Sequence, residues 1–176
     1  VQQVILEYLY LGNGGHNNMF SNMTPPPPVP QEEDTISNTG IRGAIASQES
    51  AGSGGYQAYN DASYGSSDPA LGKYQILWSS ALDWTQRYNL PVPKTQEEFL
   101  NNEELQDSVA VARFNYYIDQ AYKLTDNKDI AIRMAAAAWY GGEGNMQNYD
   151  DTTPQYGGPS LRDYSNSILT KYKRGI

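Results

Sequence analysis

EELQDSVAVARFNYYIDQAYKL, Glu103 to Leu124, is the stretch that decides the fold. Leu105, Val109, Ala112, Tyr116 and Ala121 return near helical spacing, so an apolar stripe runs down an otherwise polar segment. This is the longest such candidate in the chain, and it predicts a helix around which a core can form. Working outward, Asn127 or Asp126 can cap a following helix, Asp129 to Tyr140, which Gly141-Gly142 terminates. Ser160 can cap a last helix reaching about Tyr172. Upstream, Thr95 and Glu98 have capping-box spacing for a short helix, after a break at Pro91 and Pro93. Tyr74 to Tyr88 predicts another helix, with Ile76, Leu77, Ala81, Leu82 and Trp84 as its apolar side. Gly40 to Glu49 (GIRGAIASQE) places Ile41, Ala44 and Ile45 on one face of a first helix ending near Ser50. Gly52 to Asp68, rich in Gly, Ser, Tyr and Asn, predicts loop. No credible set of alternating strands is present. From about Ile36 to Ile176 the expectation is therefore a small, mainly α domain with one long irregular loop.

The residues before it differ in kind. Residues 1–24 read as an extended arm: Val4 to Leu11 suits a strand, with a short helix as the alternative, and Gly12 to Asn18 is a Gly/Asn run. Pro25 to Pro28, followed by Val29-Pro30, predicts polyproline II, and residues 25–35 read as a stiff linker ending in an acidic patch. The arm is expected to tether or dock the domain to other proteins.

Composition excludes several classes of function. A net charge of -8 and a pI near 4.5 argue against nucleic acid as a partner, because phosphate binding draws on Lys and Arg. Mean hydropathy is -0.67, and the longest apolar run, Met134 to Tyr140, falls far short of the roughly 20 residues that span a bilayer. No secretory leader is read in the first residues, where Ile5 to Leu11 is short and interrupted by Glu7. There is no Cys, and the one His, His16, lies in the arm. The main domain alone can build neither a Ser-His-Asp triad nor a His- or Cys-ligated metal site. Asp150-Asp151-Thr152 lacks the alternating ligands of a calcium loop, so neither metal nor cofactor is expected. The 15 Tyr, against 3 Phe and 3 Trp, offer apolar faces with hydroxyl tips, a surface suited to sugar rings.

Four segments in order resemble the soluble lytic transglycosylases of the lysozyme-like superfamily. IASQESAGSGGY, Ile45 to Tyr56, carries Glu49-Ser50 at a helix end and resembles that family's catalytic Glu-Ser element. ALGKYQI, Ala70 to Ile76, resembles its Gly-x-x-Gln element at Gly72 to Gln75. AAAAWYGGEGNM, Ala135 to Met146, is similar to its Ala-x-Tyr-Asn-Ala-Gly turn, with Gly141-Gly142-Glu143 standing where the Asn-Ala-Gly would be. LRDYSNSILTKY, Leu161 to Tyr172, resembles the helix that closes its groove. Lys73-Tyr74 replaces the usual Leu-Met and looks nearer to bacteriophage enzymes of the same superfamily. The resemblance implies a lysozyme-like helical fold that cleaves peptidoglycan glycan strands at the bond from N-acetylmuramic acid to N-acetylglucosamine, leaving a 1,6-anhydro end.

Glu49 also stands out on physical grounds. Glycosidic cleavage needs a proton donor, and a carboxyl group serves at neutral pH only when its pKa is raised. A Glu at a helix C-terminus, among the neutral neighbours Ser47, Gln48 and Ser50, meets the negative end of the helix dipole and no adjacent cation. A hydrolase would need a second carboxylate, for which Asp61, Asp68 and Glu143 are candidates. The transglycosylase route needs none. By resemblance, Ser50 and Gln75 position sugar and acid, Tyr140 lines the site, and Tyr164 hydrogen-bonds Glu49 or the sugar. Tyr56 and Tyr74 are candidate sugar platforms. The alternatives are a hydrolytic lysozyme using Glu49 with Asp61 or Asp68, and a non-catalytic wall-binding module of a virion. The acidic charge would not steer a free enzyme to an anionic wall, so delivery by a phage tail or virion is expected, with a bacterial periplasmic or secreted enzyme as the alternative.

Overall fold

The computed structural model describes residues 35–176, apart from 51, 63, 64, 66 and 156. The arm and all but the last residue of the linker, 1–34, lie outside the described residues. The protein is mainly helical. In chain order come α1 (Asn38–Glu49), a 3₁₀ turn (Gly55–Gln57), strands β1 (Tyr59–Asn60), β2 (Ala70–Leu71) and β3 (Ile76–Leu77), then α2 (Trp78–Arg87), α3 (Gln96–Leu100), α4 (Glu103–Tyr122), α5 (Lys128–Gly141), a second 3₁₀ turn (Glu143–Asn148) and α6 (Leu161–Arg174).

The helix starts follow from side-chain caps. Ser37, Thr95, Asn102, Asn127 and Ser160 each accept a hydrogen bond from a backbone N–H in the first turn of the helix they precede. Of the two candidates ahead of α5, Asn127 is the cap, bonding Ile130 N at 3.1 Å. Glu98 reaches back to Lys94 N at 2.8 Å while Thr95 Oγ1 accepts from Glu98 N at 3.1 Å, so both groups of the expected capping-box pair are engaged. Gly141 is the last residue of α5 rather than its cap, and Gly142 leaves the helix at φ 87°.

α4 and α5 form the centre. Val109, Ala110, Phe114 and Tyr117 of α4 are buried, as is nearly all of α5 from Ala131 to Ala138. The small alanines let α4, α6 and the second 3₁₀ turn all pack on α5, while α1 packs on α6 and α4. Truncating a wholly buried ring such as Phe114 to Ala costs about 3–5 kcal/mol.

Two expectations are corrected between residues 59 and 78. A three-stranded antiparallel sheet, β1-β2-β3, is present where no strands were expected, with Tyr59 opposite Leu71 and Leu71 opposite Ile76. Each strand is two residues long, too short to show an alternation in sequence. In addition, α2 begins at Trp78 and not at Tyr74. Residues 72–75 turn sharply, with Gly72 at φ 73° and Gln75 at φ 51°, and a helix begun at Tyr74 cannot run on through the left-handed Gln75. Ile76 and Leu77, read as helix face, are strand.

Candidate active site

α1 stops where Ser50 leaves helical geometry, its N–H and its Oγ both donating to Ala46 O at 3.1 and 3.2 Å. That stop leaves Glu49 as the last helical residue, with its side chain in a cleft of about 480 Å³. The opposite walls come from the hairpin (Asn60, Ala70, Gln75, Ile76), α2 (Ser80, Trp84), the end of α5 (Trp139, Tyr140, Gly141) and the rim residues Gly158 and Pro159. Glu49 is the only acidic residue lining the cleft among the described residues.

Its environment is apolar and holds one strong donor. Tyr164, from α6 and itself buried, donates its hydroxyl to Glu49 Oε1. The Tyr164 ring stacks on Tyr140, centroids 4.4 Å apart and planes 9° from parallel. Burial pushes the Glu49 carboxyl above its usual value, and the Tyr164 bond pulls partly the other way. Among the described residues no Lys or Arg forms an ion pair with Glu49. Burial also holds the Tyr164 hydroxyl well above its normal range, and the neighbouring Glu49 charge adds to this, so it remains a donor.

Tyr140 in turn sits on the rim, its hydroxyl directed at Gln155 O (3.1 Å) and Pro159 O (3.2 Å). Gly158 permits this approach, since a Cβ there would stand 2.6 Å from the Tyr140 hydroxyl. The stack therefore links the acid, through two aromatic rings, to the loop that edges the cleft.

Of the residues singled out in sequence, Glu49, Gln75 and Tyr140 line one cleft and Tyr164 contacts the acid. Three others lie elsewhere. Ser50 is buried and spends its hydroxyl on Ala46 O, so it ends α1 and does not line the cleft. Tyr74 is 1% exposed and offers no ring face to a sugar. Tyr56 lines a separate, shallow depression between α1 and α4 with Arg42 and Asp107. Both hydroxyls donate to Asp107, Tyr74 at 2.6 Å and Tyr56 at 3.0 Å.

None of the three candidate second carboxylates lines the cleft. Asp61 is exposed. Asp68 accepts from Ser79 N (2.7 Å) and Ser79 Oγ (2.9 Å), holding the start of α2. Glu143 pairs with Arg113 (3.1 Å) and accepts from Tyr116 (2.5 Å). Asp150 pairs with Arg133, and Asp151 accepts from Thr153 N at 2.8 Å, a bond that draws its carboxyl below the usual range. Among the described residues no three His, Cys, Asp or Glu side chains gather as a metal site would require. Nor is any of their helices long and apolar enough to cross a membrane.

The sequence reading missed the aromatic wall. Trp84 and Trp139 face each other at 5.6 Å, and Trp139 stacks on Phe114 at 4.4 Å. Behind them Arg113 lies 4.8 Å from the Trp84 ring and 4.4 Å from that of Tyr117, a cation held against the rear of the wall. In the sequence Trp84 reads only as part of a helix's apolar side, and Trp139 only as a member of the Ala135 to Met146 segment. Only the packing of α2 on α4 and α5 brings them into the cleft. No protein-family model, curated protein or solved structure matches the chain, so the reading of the site rests on its own geometry and on the motifs.

Proposed function

We propose that this domain is a lysozyme-like lytic transglycosylase that cleaves peptidoglycan glycan strands, with Glu49 as its one acid and base. The observation that carries the reading is a carboxyl group that stands alone, among the described residues, in an apolar, aromatic-walled cleft, its pKa raised by burial. A raised pKa keeps the proton available for the glycosidic oxygen at neutral pH. In the reaction the resemblance implies, Glu49 protonates that oxygen as its bond to C1 of N-acetylmuramic acid breaks, and the sugar's acetamido oxygen assists the departure. The Glu49 carboxylate then takes the proton of the C6 hydroxyl, whose oxygen bonds to C1. A 1,6-anhydro ring results, no water is consumed, and Glu49 is again protonated. The hydroxyl of Tyr164 stabilises the carboxylate formed between the two steps. Trp84, Trp139 and Tyr140 provide ring faces for the sugars, and Gln75 provides an amide for their polar groups.

A hydrolytic mechanism draws less support, because Asp61, Asp68 and Glu143 all lie off the cleft lining. Delivery by a virion or tail assembly fits the acidic charge, and detection of the chain in purified virions would test it. The activity itself is tested by mass spectrometry of soluble products from purified peptidoglycan, using the wild type and Glu49→Gln. Anhydromuropeptides from the wild type alone are expected. Reducing-end products would make the enzyme a hydrolase, and equal release by both proteins would remove Glu49 from the mechanism. Wall binding without release by either protein would favour a non-catalytic module.

A further inference from the structure

We infer that Gln106, which does not line the cleft, is a positioning residue that holds the 72–75 turn so that Gln75 meets the glycan. The inference rests on the glycan-cleaving reading of the cleft. Gln106 is a wholly buried polar side chain on α4, and its amide ties together separate parts of the chain. Its Oε1 accepts from Lys73 N at 3.0 Å. Its Nε2 is directed at three carbonyls: Tyr56 (3.0 Å), Phe99 (3.1 Å) and Leu100 (3.2 Å). A buried amide so engaged has little freedom to move, because any shift strands a donor or acceptor away from water.

The turn is fitted to that amide. Gly72 approaches it so closely that a Cβ would stand 2.0 Å from Oε1, and the φ of 73° there also demands glycine. One residue past Lys73-Tyr74, Gln75 adopts φ 51°, a left-handed conformation that a residue with a side chain seldom takes without support. Its backbone N and its Nε2 both donate to Gly72 O, at 3.1 and 3.0 Å. The carbonyl that receives them belongs to the peptide whose N–H, that of Lys73, Gln106 holds. The chain of contact is thus short: Gln106 fixes the Gly72–Lys73 peptide, that peptide fixes the Gln75 side chain, and Gln75 lines the cleft with Glu49. The neighbouring Asp107 grips the same turn through the Tyr74 hydroxyl at 2.6 Å.

The full chain carrying Gln106→Met, a substitution of similar length without the hydrogen bonds, tests this beside Gln75→Ala. The side-chain amide NMR signals of Gln75, identified by their loss in Gln75→Ala, report its placement independently of any activity. In Gln106→Met those signals move, and anhydromuropeptide release falls by roughly tenfold. The pH profile keeps its shape, because Glu49 is untouched. The double variant is no slower than Gln75→Ala, since both changes act through one side chain. If Gln106→Met fails to fold, Gln106→Asn carries the same readouts. Its amide stays polar but is one methylene shorter, so it withdraws from Lys73 N. Unmoved Gln75 signals in a folded variant overturn the inference, as do rate losses that simply multiply in the double variant. Absence of muropeptide release by the wild type would overturn the glycan-cleaving reading instead, leaving the Gln75 signals to decide the positioning on their own.

Discussion

Glu49 and Asp107 both accept hydrogen bonds from tyrosine hydroxyls, yet their surroundings drive them towards opposite work. Asp107 receives two hydroxyls, from Tyr56 and Tyr74, and has Lys73 at 3.8 Å and Arg42 at 3.9 Å. Its partners anchor a hairpin to a helix, and the cost falls on Tyr74, whose hydroxyl burial and the Asp107 bond push up to about 12. Glu49 receives one hydroxyl, pairs with no described cation, and has its own pKa raised by burial. A carboxylate engaged by two hydroxyls and two cations is spent on holding structure. One that is desolvated with a single neutral donor keeps a proton it can give away. What separates the two is the neighbouring charge and the degree of burial, not the residue type.

Four substitutions break or sharpen that comparison. The largest effect is expected for Glu49→Gln, with muropeptide release falling roughly a thousandfold. The same change should raise the melting temperature at neutral pH. A carboxyl whose folded pKa lies above its unfolded value of 4.5 has its full stability below 4.5 and loses it as pH rises through the folded pKa. The neutral amide escapes this loss, so the two melting curves should coincide at low pH and separate above it. A wild type no less stable than Glu49→Gln at every pH would show that Glu49 is not strained by burial.

Tyr164→Phe comes next. It removes the bond that lowers the Glu49 pKa, so the alkaline limb of the pH–rate profile should move to higher pH, with the rate at its optimum within roughly tenfold of wild type. An unmoved limb would mean that the hydroxyl does not bear on the acid. Asp107→Asn should cost about 2 kcal/mol in denaturant unfolding, as expected for lost hydrogen bonds to a charge, without moving that limb. A shift of the limb would merge the two regions that the structure keeps apart. The smallest effect is expected for Asp68→Ala, about 1 kcal/mol from the loss of its hold on the start of α2, with activity unchanged. A rate loss comparable to that of Glu49→Gln would restore the two-carboxylate hydrolase.

Much of the helical framework was legible locally. Thr95, Asn127 and Ser160 announce helix starts because their side chains satisfy the N–H groups of the turn that follows them. α4 is legible as a helix, but Ala112 and Tyr116 of the expected stripe are only partly buried, while Phe114 and Tyr117 fill the core. The sheet was not, because two-residue strands gain their meaning from partners elsewhere in the chain. The tyrosines divided in a way that no local rule foretells. Tyr164 meets Glu49 across 115 residues, and Tyr74 turns into the core to meet Asp107.

By itself, then, the sequence determined most of the helical framework, several of its caps and a short set of polar residues worth suspecting, since periodicity and capping are decided among neighbours in the chain. The tertiary structure alone decided which of those residues share a cleft. It buried Ser50 as a helix stop, gave Asp68 and Glu143 other partners, and brought Trp84 and Trp139 together. Among the described residues, it also left Glu49 without a charged neighbour to share its burial. The reason is physical: desolvation and charge proximity depend on distances in space, and those exist only once α1, α4, α5 and α6 have packed.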